Sequence, residues 1–237
     1  MNPICRLRHK FLAALGPRLA TFLATPVGGP APGALPSDLA PRLQAGDILL
    51  VRGNTRFARL VATLTGSGWT HVAICIRASQ ADDGGECIVE ADVVEGVRRV
   101  TLDEFAGQTL LVIRPAGLDR AGRDNLVAYL LGRLGNGYDL DHILGLTWLL
   151  VARRLGARRG EAGRLRPADP ARAICSTLVA HALEAAGLPV SIDAPIATGK
   201  ALSLDHLVPG DFEHCAGMTT VFDSREAPAL KPAFVWA

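Results

Sequence analysis

The sequence predicts an α+β fold in which an antiparallel sheet packs against helices. β-rich runs cluster in the middle of the chain, helical patterns lie on either side of them, and turn-rich stretches join consecutive runs. The 237 residues are 49% hydrophobic and 20% charged, with a net charge of +2. This composition excludes an intrinsically disordered chain and is sufficient for one main domain.

The N-terminal part has the composition of an arm and a linker. Residues 1–25 contain four basic side chains, no acidic one, and an apolar run interrupted by proline, which favours a basic amphipathic arm over a secretory signal. Residues 26–41 contain five prolines and therefore cannot sustain a helix. We expect an arm and linker over 1–41 and one folded domain over 42–237.

The first half of the domain predicts a strand, a helix and a hairpin. GDILLV has the pattern of a short buried strand, and the apolar residues of the next segment recur at helical spacing up to GSG at 66–68. THVAICIR and ECIVEADV are β-rich runs joined by the turn-rich SQADDGG, which predicts an antiparallel hairpin.

The second half predicts further helices and strands. QTLLVIRP is a strand closed by proline, and DRAGRDNLVAYLLGRL predicts a helix over about 119–134. An apolar segment at 140–155 and a basic loop follow. ICSTLVAHALEAAG predicts a helix that ends at Gly187, and MTTVF predicts a last strand.

Five cysteines are too few and too widely spaced to form a framework. Their odd number and the absence of a C-x-x-C pair argue against both a disulfide scaffold and a zinc knuckle. The usual state of such a cysteine is that of a small buried apolar residue. The sequence predicts no cofactor and no metal site.

Cys175 is the cysteine with a reactive context. If the helix begins next to it, the helix N-terminus lowers the thiol pKa and favours the nucleophilic thiolate. Asp169 and Pro170 are, however, a good N-cap and first helical residue, and a helix beginning there would place Cys175 beyond the first turn. The two interpretations predict different helix starts.

A cysteine nucleophile needs a base and a group that orients the base. His71 heads a predicted strand, where a side chain is held rigidly and still faces a cleft. Across the predicted hairpin, Glu90 and Asp92 are equally close to His71 by register arithmetic, so both stay open as the third residue. His181 is best explained as part of a solvated helix face.

Four motifs in order resemble one family. The motifs are GDILLV, then WTHVAICI followed by VEADVVEGV, then GNGYD, and last ICSTL. Together they resemble the circularly permuted papain-like cysteine amidases of the YiiX/YaeF group, which are related to NlpC-type hydrolases and lecithin:retinol acyltransferase. The likeness spans about residues 45–210. It implies a permuted papain-like, NlpC-type fold in which the strand bearing the histidine precedes the helix bearing the cysteine.

The resemblance also implies roles for single residues. Cys175 corresponds to the nucleophile, His71 to the base and Glu90 to the orienting residue. Tyr138 of GNGYD corresponds to a tyrosine that lines the pocket or stabilises the oxyanion. We further expect Trp69, near the histidine, and Ser176, next to the cysteine, to bind substrate.

The sequence departs from the family pattern in two kinds of place. Thr177 replaces a glutamate, Ile174 an aromatic residue and Thr70 a serine. The stretch from 139 to 175 is also longer, because it contains an apolar run of ten residues at 143–152 and then six arginines. That run is too short to span a bilayer, and it fits either a helix packed on the domain or an interfacial helix that touches anionic lipid.

We therefore expect a thiol-dependent enzyme that acts on an acyl substrate. The first expectation is cleavage of a peptide-like or N-acyl amide. The second is lipid-directed acyl transfer or lipolysis with peripheral membrane contact. The third is a non-catalytic ligand-binding domain. We expect no nucleic acid partner, because the arginine clusters lack interleaved aromatic residues. The sequence leaves both the cytoplasm and the cell envelope open as the compartment.

Overall fold

The computed structural model describes residues 25–27, 35–76, 85, 87–138, 172–192, 204 and 207–226. Residues 1–24, which make up nearly all of the predicted arm, and nearly all of the 139–175 stretch lie outside the described residues. In chain order the described helices and strands are α1 (Leu39–Arg42), β1 (Ile48–Arg52), α2 (Arg56–Thr65), β2 (His71–Cys75), β3 (Ile88–Asp92), β4 (Gly96–Val100), β5 (Thr109–Pro115), α3 (Arg120–Leu131), β6 (Gly137–Tyr138), β7 (Arg172–Ala173), α4 (Cys175–Ala185) and β8 (Met218–Asp223). Two 3₁₀ helices, Leu102–Phe105 and Pro209–His214, complete the set.

An antiparallel sheet of six strands organises the domain. The strand order is β4-β3-β2-β1-β5-β8, and every neighbouring pair is antiparallel. The predicted α+β class and the predicted hairpin are therefore confirmed. The last strand expected from MTTVF is also present, as β8 at one edge of the sheet.

β4 at the other edge was not predicted. It continues from β3 through a tight turn, in which Asp92 is paired with Gly96 across the ends of the two strands. The charged pair Arg98 and Arg99 interrupts its apolar pattern, so the segment lacks the uniform hydrophobicity of a central strand. An edge strand tolerates such charges.

The two faces of the sheet are both covered. One face packs against α3 and α4, and its buried core includes Leu126, Leu130, Leu178, Val179 and Phe212. The opposite face packs against α1 and the first 3₁₀ helix, with Leu39, Leu43, Leu102 and Phe105 in its core. A sheet buried on both faces explains why β1 reads as a continuous apolar run.

Contacts with the domain extend N-terminal of residue 42, where the boundary was expected. Leu39 and Leu43 are fully buried, and Pro26 forms a β-bridge with Thr55. Prolines prevent a long helix here, but they allow a four-residue helix that buries a leucine. Among the described residues, no helix is long and apolar enough to cross a membrane.

Candidate active site

Cys175 is the first residue of α4. Ile174 precedes it in extended backbone, with φ −103° and ψ 157°. Of the two predicted helix starts, the structure therefore has the one that places the thiol in the first turn. Asp169 and Pro170 lie outside the described residues, and the strand residues 172–173 and extended Ile174 come between them and the helix. The unpaired N–H groups and the dipole of the first turn favour an anion at this position.

Polar contacts hold the start of α4 in place. The backbone N–H of Ile174 donates to the Thr177 hydroxyl oxygen at 3.3 Å, which is the contact that a capping glutamate makes at this position of a helix. Thr177 thus supplies a cap where the resembling family has glutamate. The Ser176 hydroxyl donates to the carbonyl of Leu207 at 2.6 Å and ties the helix to the C-terminal part of the chain.

His71 is the first residue of β2, at the rim of the sheet. Its ring stacks on Phe105, with centroids 6.5 Å apart and an interplanar angle of 23°. Its Nε2 lies 2.8 Å from Oε2 of Glu90. Because Glu90 occupies Nε2, the ring nitrogen left for a nucleophile is Nδ1.

The site forms where β2 and β3 separate. The two strands pair Cys75 with Ile88 and Ile74 with Val89. The pairing ends there, although both strands continue for several residues. Regular pairing would direct the Val72 N–H to β3; here that N–H hydrogen-bonds the Cys175 sulfur instead. The separation of the strands thus makes room for the thiol beside His71.

The observed contacts, and not the register, decide between the two candidate carboxylates. Continued at the same register, the hairpin would place Asp92 opposite His71 and Glu90 on the diagonal. Yet Asp92 Oδ1 accepts the N–H groups of Val94 and Glu95 and so shapes the β3–β4 turn. Glu90, 5% exposed, is the carboxylate that contacts the imidazole.

The thiol and the imidazole stabilise each other's charge. Burial favours the neutral ring, but the hydrogen bonds to Cys175 and Glu90 and their negative charges outweigh it and raise the pKa of His71 to about 10. Burial also disfavours a thiolate, but the hydrogen bond and charge of His71 and the N–H groups of Val72 and Ser176 lower the pKa of Cys175 below 9.0. The arrangement therefore favours a thiolate–imidazolium pair.

The carboxylate remains ionised for a similar reason. Burial raises the pKa of Glu90, but the hydrogen bond from His71 and the charges of His71 and Arg98 more than compensate and lower it below its usual value. Arg98 lies directly opposite Glu90 in the β3–β4 ladder and contacts its second oxygen, Oε1, at 2.8 Å. Sequence reasoning missed Arg98, although the short turn between the strands was a usable signal for this pairing.

The expected substrate-binding residues lie in different settings. The backbone of Tyr138 pairs in parallel with that of Ala173, which lies two residues before Cys175 in the chain. Trp69 is 2% exposed and its Nε1 donates to Glu213 at 2.5 Å, which makes it a core residue. Ser176 is also 2% exposed and its hydroxyl is bonded to a carbonyl, so the structure supports a role for its backbone N–H and not for its side chain.

The other histidines stay outside this cluster or outside the described residues. His181 Nδ1 lies 3.3 Å from Glu184 on the surface of α4, as expected of a solvated helix face. His9, His142 and His206 are not among the described residues, and His214 is exposed at the end of a 3₁₀ helix. No group of three or more His, Cys, Asp and Glu side chains suited to a metal ion occurs in the part of the chain that the structure describes.

Comparisons with known proteins agree with the fold. Residues 42–144 match the model of a family described as permuted papain-like amidase enzymes, YaeF/YiiX, C92 family. The match contains His71, Glu90 and Tyr138 and ends before Cys175. A comparison with curated proteins found no match.

A solved structure has the same fold. It is the crystal structure of the metalloprotein YiiX from Escherichia coli O157:H7, which is 18% identical to this chain with a TM-score of 0.52. The alignment covers 77% of this chain and 98% of that one. At this identity the likeness extends to the fold alone.

Proposed function

We propose that this chain, which belongs to the permuted papain-like amidase family, hydrolyses an amide bond through an acyl-enzyme formed on Cys175. The family supports a hydrolase role. The observation that favours the thiol mechanism is the hydrogen-bonded series Cys175, His71, Glu90 at the N-terminus of α4. It provides a nucleophile, a proton carrier and an orienting carboxylate in contact with one another.

Acylation follows from this arrangement. The Cys175 thiolate attacks the carbonyl carbon, and the carbonyl π electrons move to oxygen to give a tetrahedral intermediate. His71, charged at neutral pH, then donates its Nδ1 proton to the amide nitrogen. The C–N bond breaks, the amine leaves, and a thioester to Cys175 remains.

Deacylation uses the same residues in the opposite sense. Neutral His71 removes a proton from water, and the resulting hydroxide attacks the thioester carbonyl. The C–S bond breaks to release the acid and regenerate the thiolate. Throughout, Glu90 accepts the Nε2–H and keeps the Nδ1 side of the ring toward sulfur.

Backbone N–H groups at the start of α4 would hold the negative oxygen of the intermediate. The first turn of a helix presents N–H groups that have no partner within the helix. We extend this proposal to Tyr138, whose backbone the β6–β7 pair brings next to this turn. Tyr138→Phe removes only the hydroxyl and should lower kcat, and an unchanged kcat would remove Tyr138 from this proposal.

The test combines thiol labelling with a substrate panel. Cys175→Ala should abolish labelling of the site by fluorescent iodoacetamide and abolish hydrolysis of any N-acyl amide or peptide amide that the wild type cleaves. Cys215→Ala is the matched control, because burial raises the pKa of the Cys215 thiol and its removal should leave both readouts intact. Full activity of Cys175→Ala would eliminate the mechanism.

Lipid-directed acyl transfer and a non-catalytic binding role remain predictions from the sequence. The basic arm and the apolar-basic insertion that suggest membrane contact lie outside the described residues. Flotation with liposomes containing anionic lipid tests that contact, and inclusion of phospholipids in the substrate panel tests acyl transfer. A Cys175 thiol that titrates near its ordinary value would favour the non-catalytic role.

A further inference from the structure

Both oxygens of the Glu90 carboxylate have partners in the structure. Oε2 lies 2.8 Å from Nε2 of His71, whereas Oε1 lies 3.0 Å from Nε and 2.8 Å from Nη2 of Arg98. The side chain of Glu90 is only 6% exposed. The orienting carboxylate is therefore held between an imidazole and a guanidinium.

The guanidinium is itself fixed from two sides. Its Nε and Nη2 approach Glu90, and its Nη1 lies 2.7 Å from Oε2 of Glu95, in the turn that joins β3 to β4. The register of the hairpin places Arg98 directly across from Glu90. The same short turn thus supplies both the register and the outer anchor.

Two physical effects follow from the contact with Arg98. A buried carboxylate with one partner tends to take up a proton, and a fixed positive charge opposes this. A fork that grips Oε1 with two N–H donors also stops the carboxylate from pivoting, which keeps Oε2 directed at the imidazole. Lysine provides the charge but cannot form the fork.

We propose that Arg98 is a positioning residue for the Cys175–His71–Glu90 set. Arg98 acts through Glu90 and is not itself in contact with the reacting atoms. This inference rests on the proposed function, since it assigns Arg98 a part in maintaining the thiolate–imidazolium pair. Without Arg98, the Glu90 carboxylate should be ionised to a smaller extent and should stabilise the His71 imidazolium less. The thiolate fraction of Cys175 should fall as a result.

The alternative is an ion pair that only stabilises the edge hairpin. Such a role would change the free energy of unfolding and leave the titration of a distant thiol unchanged. The charged and titratable groups around the Glu90–Arg98 ion pair come from each element that packs on it. They are His71 from β2, Cys175 from α4, Glu90 and Asp92 from β3, Glu95 from the turn, and Arg98 from β4. The pH profile of Cys175 therefore distinguishes positioning from stabilisation.

The experiment measures alkylation of Cys175 by iodoacetamide as a function of pH, with the modified peptide quantified by mass spectrometry in the full chain. Arg98→Met should move the midpoint of the acid limb upward by about one pH unit, equivalent to about tenfold slower alkylation on that limb. Arg98→Lys should give a smaller shift in the same direction. Arg99→Met, the neighbouring arginine on the other face of β4, should keep the wild-type profile.

Each outcome bears on the proposal. A wild-type profile in folded Arg98→Met, or in Arg98→Lys if the methionine variant does not fold, overturns the inference. Equal shifts in the Arg98 and Arg99 variants also overturn it, because the effect would then be one of general charge. If the wild-type thiol itself titrates at its ordinary value and His71→Ala does not change it, the proposed function fails instead.

Discussion

Cys175 owes its environment to more than the helix dipole. Its sulfur accepts N–H groups from Ser176 in its own helix and from Val72 in a strand of the sheet. The Val72 contact exists because β2 and β3 separate beyond Ile74. An irregularity in the sheet thus contributes directly to the chemistry of a residue that is distant in sequence.

The first prediction at this scale concerns pH. The pKa of Cys175 is lowered below 9.0, so the thiolate persists as the pH falls and is lost only below that lowered pKa. The pKa of His71 is raised, so the imidazolium persists up to about pH 10. We expect a bell-shaped pH profile for acylation, with an acid limb from the thiol and an alkaline limb from the imidazole.

The stability of the fold should follow the same groups. The contribution of His71 to the free energy of unfolding is fully present below about pH 6.5 and is lost as the pH rises through about 10. The contribution of Cys175 is lost as the pH falls through its lowered pKa. Urea unfolding of the wild type and Cys175→Ala across this range measures it. Identical pH dependence of the two proteins would contradict the coupling.

A further prediction separates the two carboxylates that the sequence left open. Glu90→Gln removes the charge that stabilises the His71 imidazolium, and kcat/KM for any cleaved amide should fall by about a hundredfold. Asp92→Asn is the control, because Asp92 accepts turn N–H groups through one oxygen that the amide can retain. A larger loss in Asp92→Asn than in Glu90→Gln would reverse the assignment.

At the scale of elements, the β3–β4 hairpin fixes the geometry of the carboxylate. Its turn closes on Gly96, which has φ +77° and whose Cα approaches the carbonyl oxygen of Asn136 so closely that a Cβ would lie 2.3 Å from it. Only glycine meets both conditions. The hairpin is thereby joined to the loop that follows α3, next to β6.

Gly96→Ala should therefore destabilise the protein more than strain alone does. We expect the free energy of unfolding in urea to fall by roughly 2–4 kcal/mol, since the clash adds to a positive φ that costs about 1–2 kcal/mol. Gly117→Ala is the matched control, because Gly117 has φ +78° and open space around it. Equal losses in both variants would show that the approach of Asn136 is unimportant.

The start of α4 illustrates a choice that local sequence does not make. Asp169 and Pro170 have good intrinsic properties for a helix N-terminus, whereas Ile174 has none. The helix nevertheless begins at Cys175, where the Thr177 hydroxyl caps it from inside and β7 pairs the residues before it with β6. Pairing between segments that are distant in the chain therefore helps to set where this helix begins.

At the scale of the whole molecule, two polar links join distant parts of the chain. Asp47, completely buried, receives two N–H groups of Arg114 at 2.6 and 2.8 Å and links the start of β1 to β5. The Trp69 indole donates to Glu213, and Arg225 stacks over its ring at 4.9 Å. The second link secures the segment before His71 to the C-terminal part, which explains why Trp69 is buried.

The Asp47 link gives the prediction at this scale. Asp47→Ala leaves a cation without its buried partner and should lower the free energy of unfolding by about 3–5 kcal/mol. Asp38→Ala is the matched control: Asp38 pairs with Arg42 at 3.8 Å, is 71% exposed, and should change stability by less than about 0.5 kcal/mol. Urea denaturation measures both, and similar small effects would show that the buried pair contributes little.

Charge is also distributed over the whole molecule. Residues 1–25 have a net charge of +4, and residues 153–166, which contain six arginines and one glutamate, have a net charge of +5. Since the whole chain has a net charge of +2, the rest of the chain has −7. The acidic remainder includes the described domain and its Glu90 site. Peripheral binding to anionic membranes through the two basic segments stays a prediction from the sequence.

The sequence by itself determined the α+β class, the sheet strands except β4, and the candidates Cys175, His71 and Glu90, because hydrophobic periodicity and motif order are local properties that survive in any context. It did not determine the start of α4, the choice of Glu90 over Asp92, the burial of Trp69, or the pairing of Arg98 with the site. Those depend on register, strand separation and contacts between segments far apart in the chain. Their energies arise only when the sheet and helices pack together, so only the tertiary structure decided them.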